Sequence, residues 1–223
     1  MVTKSFPLLF VFLWSSAFVS GKIIVADSSA FAALAFRFVI VLMGFWAVGI
    51  LLQERFKITL SQLIYGLGTG VLFHGFYLGG VFYAQSQGMS AGLSALIVSL
   101  QPVLTAALAG PILGEHLKKW GWLGIGLGFS GAALVIGIDV NNAAPPIAFI
   151  AVIISLLAVT AGTLWTKAVP SEMPLSVSNS YQALGASIFH IVMMSIIEDP
   201  FIDFTPAFIL SMGWQILAVS FGA

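Results

Sequence analysis

Eight runs of mostly apolar residues, each close to twenty long and joined by short connections, leave this chain few ways to fold. They run from Ser5 to Ile24, Ser28 to Leu52, Ser61 to Tyr83, Met89 to Leu113, Trp120 to Ile138, Ile147 to Ala168, Leu175 to Ile197 and Ala207 to Ala223. A bilayer core takes about 20 apolar residues per helix, so each run is a membrane span by length. No connection is long enough to hold a soluble domain, and with 60% hydrophobic and 7% charged residues the chain cannot build a water-facing surface. Lipid offers no partner to backbone N–H and C=O groups, so the spans must be helices that satisfy themselves. The expected fold is an all-α polytopic membrane protein, a bundle of about eight transmembrane helices. The first run, behind Lys4, has the make-up of a signal peptide; seven comparable runs follow it, so it reads as a first helix that inserts the rest.

Charge is balanced, with Lys+Arg 8 against Asp+Glu 8, which removes the basic excess that nucleic acid would need. Cysteine is absent, excluding disulfides, thiol catalysis and thiolate metal sites. Position carries more than total. If the N-terminus is cytoplasmic, Lys4, Arg55, Lys57, Lys118, Lys119 and Lys167 all fall inside and Lys22 alone falls outside. That asymmetry predicts a multi-pass inner (plasma) membrane protein with its N-terminus in the cytoplasm.

At an offset of 145 residues Lys22 falls on Lys167, Asp27 on Glu172, Arg37 on Gln182 and Glu54 on Asp199. The register suggests a duplicated unit, 1–138 and 147–223, divided by the Asn-Asn and Pro-Pro loop Asp139 to Pro146. Five helices precede the second copy, so it enters from the opposite face, an inverted repeat of the kind found in secondary transporters. Chance spacing of sparse charges at helix ends is the competing explanation. A complete second copy needs five helices and three are counted, so the expectation is a 5+5 repeat lacking its last two.

The fourth and fifth runs hold a recognisable pattern: Ala95-Leu-Ile-Val-Ser-Leu-Gln-Pro102, then Gly114-Glu115, then Gly121-Trp-Leu-Gly124 and Gly131-Ala-Ala-Leu-Val-Ile136. With Leu13-Trp14-Ser-Ser-Ala-Phe-Val19 and Arg37, this resembles the EamA-type repeat of the drug/metabolite transporter superfamily. The likeness is good over the first five helices and weak beyond them. It implies ten helices in two inverted repeats and export of metabolites, amino acids or drugs. Against that pattern a chain ending near its eighth helix lacks two helices, so the expectation is either a C-terminally truncated fragment or a protein completed by a partner, a homodimer or complementing helices.

Several polar residues sit at membrane depth. Arg37 lies nine residues into the second run, roughly 13 Å below the boundary at 1.5 Å per residue. A guanidinium there must face protein or water and needs a partner, yet no embedded Asp or Glu is available. Its face carries Ala30, Ala33, Val41 and Gly44. Two readings stand: a site for an anionic group, or a structural arginine capping carbonyls or snorkelling outward. His74, with Tyr77 and Gln85 on its face, is either a group that protonates during transport or a histidine bonded to a neighbouring helix. Ser90, Ser94, Gln101 and Thr105 form one stripe on the fourth run, lining the pathway or packing against polar neighbours, and Pro102 should kink that helix near the midplane. Glu115 and His116 read as an interfacial hairpin. Gln182, paired with Arg37 by the repeat, and Asn179, Tyr181 and His190 are weaker pathway candidates.

Gly126-Leu-Gly128-Phe-Ser-Gly131 matches a dinucleotide fingerprint by letter, but has no preceding strand and no acid about 20 residues on; it reads as helix packing, as do Gly66 to Gly70 and Gly75 to Gly79. Trp14, Trp120, Trp122 and Trp165 read as interfacial or packing aromatics. No phosphate loop, metal cluster or cofactor motif is present. The function expected is therefore a secondary transporter, an exporter of small molecules working by alternating access, rather than an enzyme. Two alternatives remain: a non-transporting subunit or inactive fragment, and a lipid-modifying enzyme. The enzyme lacks visible support, because paired carboxylates are missing and His74 and His190 are far apart in sequence.

Overall fold

The computed structural model describes residues 6–114, 119–139 and 144–222; Glu115, His116 and Lys118 lie outside them. The chain is a helical membrane bundle, and its elements follow the runs read from sequence, with some ends reaching beyond them, as α4 does to Ser86. They are α1 (Phe6–Ile24), α2 (Ala30–Leu51), α3 (Leu60–Gly70), α4 (Leu78–Ser86), α5 (Ala91–Val98), α6 (Gln101–Leu113), α7 (Lys119–Asp139), α8 (Pro146–Ala168), α9 (Leu175–Ile197) and α10 (Pro206–Trp214). Two π-helical segments complete the set: Val71–Tyr77 between α3 and α4, and Gln215–Ser220 after α10. Among the described residues, α2, α8, α9 and the combined span Ala91–Leu113 are each long and apolar enough to cross a bilayer; Leu8–Ile24 and Pro206–Ser220 are shorter apolar helices. Large apolar side chains such as Leu8, Phe10, Trp46, Trp120, Leu134 and Leu210 point outward, as a lipid-facing surface requires.

Local chemistry sets the helix starts. Thr59 and Gln62 form a capping box before α3, Ser90 accepts from the Leu93 amide before α5, and Thr205 accepts from the Phe208 amide before α10. Several hydroxyls inside the spans bond within their own helices: Ser155 donates to the Ala151 carbonyl (3.0 Å), Thr160 to Leu156 (2.7 Å) and Ser187 to Ala183 (2.8 Å). These three residues thus sit in apolar spans with their hydroxyl protons donated. The fourth run is broken rather than kinked: α5 ends at Val98, α6 restarts at Gln101, and Pro102, with no N–H to give, occupies the first turn of the new helix.

Lipid is as apolar as leucine, so helix association in a membrane depends on close packing. The tightest pairing is α2 with α9, and α3 crosses α9 at two glycines. A methyl group on Gly70 would run into the Gln182 carbonyl, and one on Gly185 into the Leu67 carbonyl. Around this centre, α1 packs on α10 while α8 packs on α4 and the first π segment. The glycine run of α7 behaves differently from expectation. Gly128 meets Val103, but Gly124, Gly126 and Gly131 have open space before them, because that face of α7 is turned away from the bundle.

Candidate functional site

Arg37, on the second turn of α2, is the most informative side chain in the core. It is only 4% exposed although it carries a charge. Its Nε and Nη2 both donate to the Ser220 hydroxyl, at 3.2 and 2.9 Å, and that hydroxyl donates in turn to the Gln215 carbonyl at 3.0 Å. The partner missing from the sequence reading is thus a neutral oxygen on the second π segment. A single serine late in an apolar run, with no charge beside it, gave no sign of this role. The guanidinium carbon also lies 5.3 Å from the centre of the Phe38 ring.

Arg37 opens onto a cavity of about 400 Å³ bounded by α1, α2, α4, α9 and both π segments. Four expected site residues meet there: Arg37, His74, Tyr77 and Gln182. His74 and Tyr77 arrive because the π segment, with its wider turn, presents both to the interior; π turns of this kind recur at functional sites. Gln182 reaches the wall from α9, beside the His74 ring, with its amide donating to Ser178 at 3.1 Å. Asn179 joins them, and the remaining wall is largely aromatic: Trp14, Phe18, Phe38, Phe45, Phe73 and Phe82. Trp14 therefore lines the cavity and packs edge-on to Phe18 at 4.9 Å, rather than resting at the interface.

The other expected pathway residues lie elsewhere. Ser94 is buried and accepts from the Gln85 amide at 3.0 Å, while Gln85 also donates to the Phe18 carbonyl at 3.1 Å. Gln101 donates to Thr105 (3.2 Å) and to Thr163 on α8 (3.1 Å). The stripe on α5 and α6 thus packs against α1, α4 and α8, outside the cavity. A helical wheel shows which residues share a face but not which neighbour that face meets.

His190, distant from His74 in sequence, is close to it in space. Its Nε2 lies 2.9 Å from the His74 carbonyl, and both imidazoles flank the Phe38 ring at 5.6 and 5.0 Å. The contact runs through main chain, so the rings do not form a side-chain pair for acid–base work. Tyr181 is turned to another task, donating to the Phe56 carbonyl at 3.1 Å. Among the described residues no three His, Cys, Asp or Glu side chains gather where a metal ion could bind.

Comparison with known proteins agrees with a transport architecture. An uncharacterized transporter of Synechocystis sp. is 31% identical over 131 residues, 56% of this chain and 37% of the relative; the chain thus spans well under half the length of that protein. The model of the EamA-like transporter family matches residues 5–137, the stretch that includes Arg37, His74 and Tyr77. With more than half of its length matched, the chain belongs to the EamA-like transporter family.

Proposed function

We propose that this chain forms the solute-handling core of a secondary carrier that exports small metabolites, amino acids or drugs across the cytoplasmic membrane by alternating access. The observation that carries the proposal is the cavity of about 400 Å³ at the meeting of α2, α9 and the two π segments, apolar but for a few convergent polar groups. Sites of that make-up bind small molecules. Family membership supports the transport class.

An inverted repeat supports the rocking mechanism. The offset of 145 that aligns the charges carries Ala30–Leu51 onto residues 175–196, nearly the whole of Leu175–Ile197. In both units the third helix starts at a threonine cap, Thr59 or Thr205, and passes into a π segment. Reciprocal packing of α1 on α10 and of α8 on the first π segment fits two halves turning about the α2–α9 pair. The basic residues Arg55, Lys57 and Lys167 support an orientation with the Arg55 end of that pair in the cytoplasm.

The test is flux into sealed vesicles carrying the full-length gene product. Arg37→Ala is expected to lower flux at least tenfold while leaving membrane insertion and monodispersity intact. Unchanged flux in that variant would remove Arg37 from the pathway, and lipid modification without flux would move the protein to the enzyme class.

A further inference from the structure

A charge buried without a counter-charge states what the site lacks. Among the described residues lining the cavity, Arg37 alone carries a formal charge, and no carboxylate is present. A guanidinium has five N–H groups. Two of them converge on the Ser220 oxygen, and the other three have no protein acceptor among the described residues. Buried charges elsewhere in proteins are paired or hydrogen-bonded in full, because an unpaired one is costly to hold out of water. Here the aromatic wall of Phe38, Phe45 and Trp14 offers no side-chain acceptor to a cation whose donors are more than half unused by the described residues.

We infer that the cavity binds organic monoanions with a ring-bearing apolar body, the carboxylate or an equivalent oxyanion lying on Arg37. This rests on the proposed carrier role and specifies its substrate class. One negative charge neutralises the site. A second would lie unpaired in an apolar chamber, and a cation would repeat the charge already there. An amino-acid zwitterion would need a carboxylate for its ammonium, and the described lining holds none, only neutral acceptors: the amides of Asn179, Gln182 and Gln215, the His74 ring and the Tyr77 and Ser220 hydroxyls. Geometry suits the anion: the free guanidinium edge gives paired donors, which a carboxylate accepts two at a time. The volume, near the lower end for ligand sites, fits one ring and a short acidic arm.

The test is binding to the purified full-length protein in detergent, measured by calorimetry with four probes of one shape: benzoate, benzamide, benzylamine and phthalate. Phenylalanine serves as the zwitterion. Benzoate is expected to bind at least tenfold more tightly than each of the others. Arg37→Gln should abolish that preference, bringing benzoate affinity down to that of benzamide in the same variant, and Arg37→Lys should restore part of it. These comparisons of probes within one protein do not depend on a variant folding well. Equal affinity for benzoate and benzamide, tighter binding of benzylamine, phthalate or phenylalanine, or no benzoate binding would each overturn the inference. Selective benzoate binding without flux would leave the substrate class standing and remove the carrier, whereas flux of neutral or cationic solutes with no benzoate preference would do the reverse.

Discussion

The α2–α9 pair has two ends, built from similar residues and finished very differently. At the Asp27 end the polar groups are matched. The Glu198 carboxylate caps α2, accepting from the amides of Ala30 (3.0 Å) and Phe31 (2.9 Å). Ser29 and Phe201 exchange hydrogen bonds at 3.1 Å, Ser28 and Ile202 form an antiparallel bridge, and Asp27 receives the Asp203 amide (2.8 Å) and the Thr205 hydroxyl (2.5 Å). At the Arg55 end, α9 starts at Pro174 without a side-chain cap. Tyr181 donates to the Phe56 carbonyl there, and among the described residues the buried Oε2 of Glu54 and the hydroxyls of Ser171 and Ser176 have no protein partner. Unmade hydrogen bonds in a buried place favour any motion that admits water. The Asp27 end is thus fastened, and the Arg55 end is the less costly one to open.

That contrast can be broken most directly by labelling. The chain has no native cysteine, so single replacements report cleanly. Ser29 and Ser176 are both buried, 9% and 5% exposed, one at each end. In detergent, Ser176→Cys should react with maleimide about tenfold faster than Ser29→Cys, the ratio that about 1.4 kcal/mol of easier local opening produces. Equal rates would remove the asymmetry.

Stability gives the next effect in size. Glu198→Ala should cost about 1–2 kcal/mol as a lost helix cap, seen as a lower Tm and faster amide exchange at Ala30 and Phe31. Glu54→Ala should stay within about 0.5 kcal/mol of wild type, because it removes no cap; a loss equal to that of Glu198→Ala would contradict the comparison. Tyr181→Phe should cost about 1 kcal/mol, with faster exchange confined to the Arg55 end.

The smallest effect is a dependence on pH. Burial holds the Glu198 carboxyl above the ordinary carboxylate range, outweighing the amide donors of Phe31 and Ala30, which pull it down. Asp27, Asp199 and Asp203 are the other acids of these connections, and Lys22 is the nearby base on α1. A carboxyl whose folded pKa lies above its unfolded one adds stability at low pH that is lost as pH rises through the folded value. The Tm difference between wild type and Glu198→Gln should therefore move in favour of wild type as pH falls from about 7.5 to 5. A difference that stays flat, or moves the other way, would show that the amide donors dominate.

Most of the architecture was legible in the sequence because span length and apolar content are sufficient to place helices in a bilayer. Arg37, His74, Tyr77 and Gln182 stood out for a related reason, since a polar side chain in an apolar run must be accounted for. What the sequence withheld was which helix each face meets. Ser94, Gln101 and Thr105 share a stripe, yet α1, α4 and α8 lie against it and take up its hydrogen bonds. Ser220 and Gln215 were overlooked because neutral residues near a helix end look ordinary until a charge is seen to lean on them. Gln215, 1% exposed, donates to the Ala17 carbonyl at 2.7 Å and to Ser20 at 2.9 Å, tying the second π segment to α1.

The guanidinium of Arg37 is also a rivet. It joins a helix from early in the chain to the last described turn, and its grip on Ser220 is a pair of bonds to one neutral oxygen. A negatively charged acceptor competes for those same protons with the advantage of its charge. Loading the chamber and slackening the seam between α2 and the second π segment are then a single chemical event.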